Sequence, residues 1–285
     1  MFYLYLSPKK KFLLFIPLLL LLSLIVVLFI STTFYQGIPV LNYHQINDLD
    51  HNLLTINSKQ FDRQMQYLAD NGYTTITPDE LADSLDSGKK LPEKSILITL
   101  DDGYKDNYTC AFPILKKYSM KATIFLITDY VNTYPKYLNW NEINEMQTAD
   151  INFESHTLSH IDLTKAATDV DLRKQLVNSR KVLEWRLHKK INFIAYPGGA
   201  YNTHVSEAAR EAGYRGAFTV NFGSDRTGMP MYALDRIPIF GGTSHTFFRF
   251  RLRLRFSTFF SSLKSIKTDL DKNGHTLLSR IIFIP

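Results

Sequence analysis

Two carboxylates and two imidazoles are the residues of this sequence that could do chemistry together. Asp101 and Asp102 come directly after the apolar run 96–100, which is typical of a buried strand. His156 and His160 are four residues apart, near enough on one helical turn or tight loop to bind one ion. Together with the carboxylate of Asp102 they form a set of three ligands that leaves coordination positions free. Closed structural sites normally use four protein ligands, so this set predicts a catalytic metal centre.

The two adjacent carboxylates can take different roles, because neighbours on an extended chain point in different directions. One can bind the metal while the other faces a bound water. The ion would lower the pKa of that water to about 7, and the free carboxylate would accept the proton as water attacks a carbonyl. Two alternatives stay open at this point. Asp-Asp-Gly can be a simple turn beside two unrelated surface histidines, and two histidines with one carboxylate are also the ligand triad of non-haem iron oxygenases.

The elements around these residues alternate between short strands and helices over roughly 200 residues, which predicts a mostly parallel α/β sheet. Because the candidate groups follow strand ends, a barrel is more natural than an open sheet. The predicted strands cover residues 38–43, 73–76, 96–100, 121–127, 151–155, 192–196, 216–220 and 236–240.

The N-terminal region predicts a membrane anchor. Residues 1–11 form a short tail ending in three lysines, and residues 12–30 are uncharged and apolar. In a helix this stretch nearly spans a hydrocarbon core of about 30 Å. A cleaved signal peptide is the alternative, but the apolar run is long for one and residues 31–35 offer no small-x-small cleavage site. By the positive-inside rule the lysines stay in the cytoplasm and the rest of the chain lies outside it.

Charge and cysteine usage exclude some classes of protein. The chain has 285 residues and a modest formal charge of +6, which suits an anionic membrane or cell wall, and no nucleic-acid-binding motif is evident. The single cysteine, Cys110, excludes an intrachain disulfide. In the basic C-terminal extension, residues 246–285, arginines alternate with apolar residues from 249 to 256. This pattern fits an edge strand or a C-terminal helix with solvated charges better than contact with lipid or wall polymer.

Three ordered motifs resemble those of the polysaccharide deacetylases of carbohydrate esterase family 4, the NodB-homology domain. They are Thr-Leu-Asp-Asp-Gly at 99–103, His-x-x-x-His at 156–160 and Tyr-Pro-Gly-Gly-Ala-Tyr-Asn at 196–202. The resemblance covers about Val40 to Phe240 and implies a deacetylase domain over residues 38–245. The fold it implies is a distorted (β/α) barrel, here preceded by one transmembrane helix.

The resemblance also implies roles for individual residues. Asp101 would be the general base, and one divalent ion, zinc with cobalt or nickel as alternatives, would be held by Asp102, His156 and His160. The opening at 40–44 is similar to the subgroup that acts on poly-β-1,6-N-acetylglucosamine, in which the N-terminal histidine, here His44, is the general acid. The third motif would contact substrate through Pro197, Gly198 and Tyr201.

Two positions depart from the family pattern. Ala195 stands where an arginine usually orients the catalytic aspartate, and we expect Arg236 to replace it. Gly198 stands in place of the usual aromatic residue, so an oxyanion contact there would come from the backbone N–H.

The function expected from these residues is metal-dependent hydrolysis of N-acetyl groups on a cell-surface N-acetylglucosamine polymer, with release of acetate. The enzyme would lie on the outer side of a bacterial cell membrane, anchored by a single pass, with exopolysaccharide synthesis or export proteins as possible partners and no nucleic acid. A peptidoglycan or chitooligosaccharide deacetylase is the alternative substrate class. A non-catalytic polysaccharide-binding module is the alternative without chemistry.

Overall fold

The computed structural model describes residues 37–242 and 246–282, together with positions 17, 19, 22, 23 and 26. The chain divides into two compact units. The larger unit, Gly37–Ser257, contains all of the described strands.

The larger unit is built on a closed parallel barrel. The strands are β1 (Val40–Tyr43), β2 (Gln45–Ile46), β3 (Thr55–Ile56), β4 (Thr74–Thr75), β5 (Ser95–Leu100), β6 (Ala122–Leu126), β7 (Ile151–Ser155), β8 (Phe193–Ala195), β9 (Gly216–Phe222) and β10 (Leu234–Pro238). Seven of the described strands pair side by side in the order β1, β5, β6, β7, β8, β9, β10, and β1 pairs with both β5 and β10, which closes the ring. The short β4 extends the edge of β5, and β2 and β3 form a separate parallel pair. The predicted barrel is thus confirmed.

Helices connect the strands and begin where the sequence supplies capping residues. The second helix shows this well: the Thr77 hydroxyl accepts from the Glu80 N–H, and the Glu80 carboxylate accepts from the Thr77 N–H. The helices of the larger unit are α1 (Ser58–Asp70), α2 (Pro78–Ser87), α3 (Phe112–Lys117), α4 (Trp140–Gln147), α5 (Asp169–Leu187), α6 (Thr203–Glu211) and α7 (Phe247–Arg255). A π-helical turn, Asn107–Ala111, precedes α3.

The core explains why the strands are apolar runs. Every residue of β1, β5 and β6 is buried, as expected for strands covered on both faces. One cluster joins residues from six barrel strands: Val40, Leu97, Phe125, Phe193, Phe218 and Leu234. Full burial of such side chains contributes about 1.5–3 kcal/mol each, so the barrel interior is a rigid base for the groups at its rim.

The arginine-rich segment 247–255 is a helix, one of the two structures that its pattern allowed. Phe250 and Leu254, four residues apart, are buried, which is the spacing of one helical face. Arg253 departs from the expectation of solvated charges. Its side chain is buried, it donates to the Pro238 carbonyl at 2.6 Å, and its guanidinium lies 5.0 Å from the ring of Phe222.

The rest of the C-terminal extension forms α8 (Ser257–Lys272) and α9 (Thr276–Ile281), which belong almost entirely to the smaller unit. The predicted tail 1–11 and most of the predicted transmembrane segment 12–30 lie outside the described residues, so both stay predictions. Within the described part of the chain, the helices are too short or too polar to cross a membrane.

Candidate active site

The barrel delivers the predicted chemical groups to one rim. His44 follows β1, Asp101 and Asp102 follow β5, and His156 follows β7. Because all of the barrel strands are parallel, their carboxyl ends face the same side, which is the functional side of such barrels. Residues far apart in the sequence therefore meet at this rim.

Asp102, His156 and His160 converge on one point. The Nε2 atoms of both histidines lie 3.3 Å from Oδ1 of Asp102, and one ligand atom from each residue lies within 4.8 Å of the others. Asp102 and His156 are buried, whereas the side chain of His160 is 37% exposed. The group is therefore held rigidly on its inner side and open to solvent on its outer side.

The donor chemistry of this group fits a cation. Nδ1 of His156 lies 2.8 Å from the Ala195 carbonyl oxygen, which can only accept, so this nitrogen carries the proton. In the neutral ring, Nε2 then presents a lone pair to Asp102, whose buried Oδ1 has no hydrogen-bond donor among the described residues. Lone pairs that converge without a proton between them are the arrangement of a metal site, with the carbonyl fixing the tautomer of the ligand.

The electrostatics agree with this reading. Burial by itself would lower the pKa of His156, but the Asp102 and Asp101 carboxylates raise it above its ordinary value. The site therefore favours positive charge at this position, which a divalent ion would supply.

The backbone of the candidate ligands is strained. Asp102, Thr157 and His160 have φ values of 75°, 70° and 60°, in the left-handed region that costs a non-glycine residue about 1–3 kcal/mol. Gly103 follows with φ 73°, and a Cβ there would lie 2.6 Å from Cδ2 of Leu126. Such strain persists where the surroundings determine the conformation. Three of the seven non-glycine residues with positive φ in the described part of the chain lie on the ligand segments.

Helix α5 holds the segment between the two histidines. The Ser159 N–H donates to Oε1 of Gln175 at 3.0 Å, and Nε2 of Gln175 donates to the Ser159 hydroxyl at 2.8 Å. The His160 N–H donates to the Thr157 hydroxyl at 3.0 Å. The loop is thus fixed by paired hydrogen bonds, which orients His160 although it is partly exposed.

Asp101 lies in a different environment from its neighbour. Nη1 of Arg236 donates to its Oδ1 at 2.8 Å and Nη2 donates to its Oδ2 at 2.7 Å, a bidentate pair in which both side chains are buried. Burial by itself would raise the pKa of Asp101, but the Arg236 guanidinium more than offsets this and holds it well below its usual range. Asp101 is therefore a fixed carboxylate, and Arg236, the residue that we expect to replace the missing arginine, contacts both of its oxygens.

Asn42 is a site residue that the sequence argument missed. Its Nδ2 donates to Oδ2 of Asp101 at 3.0 Å, and its side chain is almost wholly buried in β1. The available signal was a polar amide within an otherwise apolar strand, two residues before His44.

His44 also lies beside Asp101, with its Nε2 4.0 Å from Oδ2. Its Nδ1 is buried and has no hydrogen-bond partner among the described residues. Burial, the largest influence, lowers the pKa of this imidazole, although the charges of Asp101 and Asp102 act in the opposite direction. His44 is therefore mostly neutral at neutral pH and able to take up a proton.

The third motif forms a tight turn after β8. Pro197–Gly199 is a single 3₁₀ turn in which both glycines have positive φ, and a Cβ on Gly199 would lie 2.4 Å from Val220. The rings of Tyr196 and Tyr201 stack with centroids 5.4 Å apart. The turn begins two residues after Ala195, whose carbonyl orients His156. It therefore places Pro197 and Gly198 near the candidate metal site, and the side chain of Tyr201, just after the turn, is 37% exposed.

Comparison with known proteins finds similarity to deacetylases that act on polysaccharides. The family profile described as polysaccharide deacetylase matches residues 88–217. YxkH of Bacillus subtilis (strain 168), a protein assigned to the polysaccharide deacetylases, is 38% identical over 211 residues, which are 74% of each chain. The poly-β-1,6-N-acetyl-D-glucosamine N-deacetylase of Staphylococcus aureus (strain MRSA252) is 29% identical over 178 residues, which cover 58% of this chain and 61% of that relative.

A solved structure extends the similarity to three dimensions. The Streptococcus pyogenes deacetylase PplD, in complex with acetate, superposes with a TM-score of 0.69 at 32% sequence identity. The match covers 72% of this chain and 93% of PplD.

Proposed function

The chain belongs to the polysaccharide deacetylases of carbohydrate esterase family 4, which hydrolyse amide bonds, and on this premise we propose that it removes N-acetyl groups from a cell-surface N-acetylglucosamine polymer with the help of one divalent metal ion. The observation that carries the proposal is that a candidate metal-ligand set and a fixed carboxylate lie next to each other at one rim of the barrel. Asp102, His156 and His160 converge as a ligand set, and beside them Asp101 is fixed by Arg236.

Poly-β-1,6-N-acetylglucosamine, as found in biofilm exopolysaccharide, is the polymer we favour. The Staphylococcus aureus relative is named for this substrate. His44, the general acid that the resemblance to that subgroup implies, has its Nε2 4.0 Å from Oδ2 of Asp101. Peptidoglycan and chitooligosaccharides are the alternative substrates. Removing acetyl groups exposes amines, which would make the polymer cationic and hold it on anionic surfaces.

A metal ion would be held by Asp102, His156 and His160, and zinc is our first choice because two imidazoles and one carboxylate are a common catalytic zinc set. When bound, it would supply Lewis acidity that polarises the acetyl carbonyl and the attacking water.

The chain's own groups then move the protons. Asp101 is ionised at neutral pH because of Arg236, so it can accept the proton that water loses as its oxygen attacks the acetyl carbon. Its low pKa means that it gives the proton up again readily. The imidazole of His44, which starts neutral, takes up that proton from Asp101 and delivers it to the nitrogen of the departing glucosamine as the carbon–nitrogen bond breaks. Release of the free amine and acetate completes the hydrolysis.

We also propose that the domain works outside the cytoplasm. This rests on the apolar segment 12–30 and the lysines before it. An anchor there would keep the enzyme beside a growing polymer, where synthesis or export proteins are its natural partners.

The test measures acetate release and metal content together, using the full chain in detergent with and without added zinc. Wild type should release acetate from poly-β-1,6-N-acetylglucosamine and contain one ion per chain. Asp101→Asn should keep the ion and lose activity, whereas Asp102→Ala should lose both. Acetate release from peptidoglycan alone would refute the proposed polymer, and equal metal loss in the two variants would refute the division between the carboxylates.

A further inference from the structure

Four tyrosines form a cluster at the catalytic rim that the proposed chemistry does not use. Tyr104 lies two residues after Asp102, and the other three lie in the loop that follows the carboxyl end of β6. We call Tyr104, Tyr130, Tyr134 and Tyr137 the tyrosine cluster.

The cluster is packed ring against ring. Tyr104 and Tyr137 stack with centroids 5.0 Å apart, and Tyr130 contacts Tyr137 at 4.8 Å and Tyr134 at 5.1 Å. Edge-to-face and offset contacts of this kind are the favourable geometries for aromatic pairs. The rings are therefore held in place and do not depend on a ligand for their arrangement.

Backbone hydrogen bonds fasten the loop of the cluster to the segment that carries the candidate metal ligand. The Leu138 N–H donates to the Gly103 carbonyl at 2.9 Å, and the Lys105 N–H donates to the Lys136 carbonyl at 2.8 Å. Gly103 and Lys105 flank Tyr104, so the cluster has a fixed position relative to Asp102.

Tyr134 is the ring of the cluster that is most open to solvent. Its side chain is 51% exposed, whereas Tyr104, Tyr130 and Tyr137 are half-buried. Tyr104 is already in contact with Tyr137 and with the Lys136 ammonium, 5.5 Å from its ring centroid. A large ring that is both exposed and held rigid offers contact area at little cost in conformational entropy.

A sugar ring has the chemistry that fits this surface. A pyranose carries C–H bonds on its faces and hydroxyl groups around its edge, and tyrosine likewise combines an apolar ring with a polar tip. We propose that the tyrosine cluster is a sugar-binding subsite, in which Tyr134 packs against a ring of the polymer next to the one that loses its acetyl group. This rests on the proposed function, since it assigns the neighbouring unit of the same substrate. The proposal is supported by the position of the cluster: Tyr104 belongs to the segment 101–105, which carries Asp101 and Asp102, and backbone hydrogen bonds join this segment to the loop of the other three tyrosines.

The test measures binding separately from catalysis. In an Asp101→Asn background, calorimetry would measure the affinity for a tetrasaccharide of β-1,6-linked N-acetylglucosamine. We expect Tyr134→Ala to weaken binding about tenfold, the scale of one aromatic contact, and Tyr134→Phe to stay within about twofold. Because the side chain is half exposed, circular dichroism should show both variants folded.

Trp185→Ala is the matched control. Trp185 is an aromatic residue with 66% exposure near the carboxyl end of α5. That helix starts after the catalytic rim and runs back along the barrel, so its end lies on the opposite side. The control should bind the tetrasaccharide like the parent protein.

A second measurement separates the subsite from the proposed reaction. It compares the kcat/KM of the wild-type enzyme with that of the single variant Tyr134→Ala, both of which keep Asp101. The loss in kcat/KM caused by Tyr134→Ala should be about tenfold greater for the tetrasaccharide than for 4-nitrophenyl acetate, which has no neighbouring sugar. If wild type released no acetate from the tetrasaccharide but Tyr134→Ala still weakened its binding, the proposed function would fail and the subsite would stand. Unchanged binding in Tyr134→Ala, or an equal loss in Tyr134→Phe, would overturn the subsite.

Discussion

At the scale of single residues, the site separates two identical side chains by their surroundings. Asp101 is paired with a buried guanidinium and an amide, whereas Asp102 faces two imidazoles. The left-handed φ of Asp102 turns the chain between them, so neighbours in sequence serve different partners. Asp101, held by a guanidinium, is suited to proton transfer. Asp102, which has a buried oxygen without a hydrogen-bond partner among the described residues, is suited to metal binding.

The bidentate pair predicts a large effect of changing Arg236. Arg236→Ala leaves the buried Asp101 without its cation, so we expect a loss of about 3–5 kcal/mol in the free energy of unfolding and at least a 100-fold drop in acetate release. Arg236→Lys keeps the positive charge but loses the bidentate geometry, so its stability and its rate of acetate release should lie between those of wild type and Arg236→Ala. Urea denaturation and steady-state kinetics measure the two effects. Wild-type turnover in Arg236→Ala would show that this residue does not orient Asp101.

Asp225 predicts a pH-dependent effect on stability that is separate from the active site. Its carboxyl is buried, one oxygen accepts from the Asp235 N–H at 2.9 Å, and the other has no partner among the described residues. Burial raises the pKa of Asp225 well above its ordinary value. The protonated form therefore suits the fold. Its stabilisation is complete below the unfolded pKa, near 4, and is lost as the pH rises through the higher folded value.

Asp225→Asn should therefore stabilise the protein by about 1–3 kcal/mol at pH 8 and change little at pH 4. Thermal unfolding across this pH range measures the difference. Asp150→Asn makes the same change at an exposed position and controls for the loss of one negative charge. A stabilisation by Asp225→Asn that is equal at both pH values would contradict the argument.

At the scale of elements, a helix side chain controls the loop that carries both histidines. Gln175 on α5 makes two hydrogen bonds to Ser159, one as donor and one as acceptor. The loop includes the strained residues Thr157 and His160, which need external support to keep their conformation. The helix thus contributes to metal binding without supplying a ligand.

Removing this support should weaken metal binding. We expect Gln175→Ala to lower zinc affinity by about 10-fold, the lower end of the usual effect of lost outer partners of a metal ligand. Competition with a chromophoric chelator measures the affinity. Arg173→Ala is the control on the same helix, because its ion pair with Glu211 is exposed. Equal zinc affinities for the Gln175 and Arg173 variants would mean that the loop between His156 and His160 keeps its conformation without the hydrogen bonds from Gln175.

At the scale of the whole molecule, closure of the barrel assembles the site. β1 pairs with both β5 and β10, so His44, Asp101 and Arg236 come from three adjacent strands. Metal ligands from β5 and β7 complete the rim. A ligand that bridges separate strands stabilises the entire unit, because it binds the native arrangement and not the unfolded chain.

Zinc should therefore raise the thermal stability of the whole larger unit. At a free concentration about 100 times Kd, the gain is about 2.7 kcal/mol, which corresponds to a rise in Tm of roughly 5–10 °C for a unit of this size. Scanning calorimetry with zinc and with chelator would show it. Asp102→Ala should abolish the rise and Asp101→Asn should retain it. A rise that persists in Asp102→Ala would place the ion elsewhere.

The sequence by itself determined the local features. Apolar runs and capping residues predicted the alternation of strands and helices, because burial and capping depend on residues close together in the chain. The pairs Asp101–Asp102 and His156–His160 could be recognised for the same reason. The barrel followed from where those groups stood relative to the strands.

Only the tertiary structure decided the long-range contacts. Arg236 is 135 residues from Asp101, and Asn42 is 59 residues from it; both contacts depend on the register of β1, β5 and β10. The tyrosine cluster likewise needs the loop after β6 to lie against the end of β5. The segment 247–255 alternates like a strand, yet it is a helix, because burial of Phe250 and Leu254 together follows the helical spacing. Such contacts depend on how the closed barrel aligns distant segments, and no local pattern encodes that alignment.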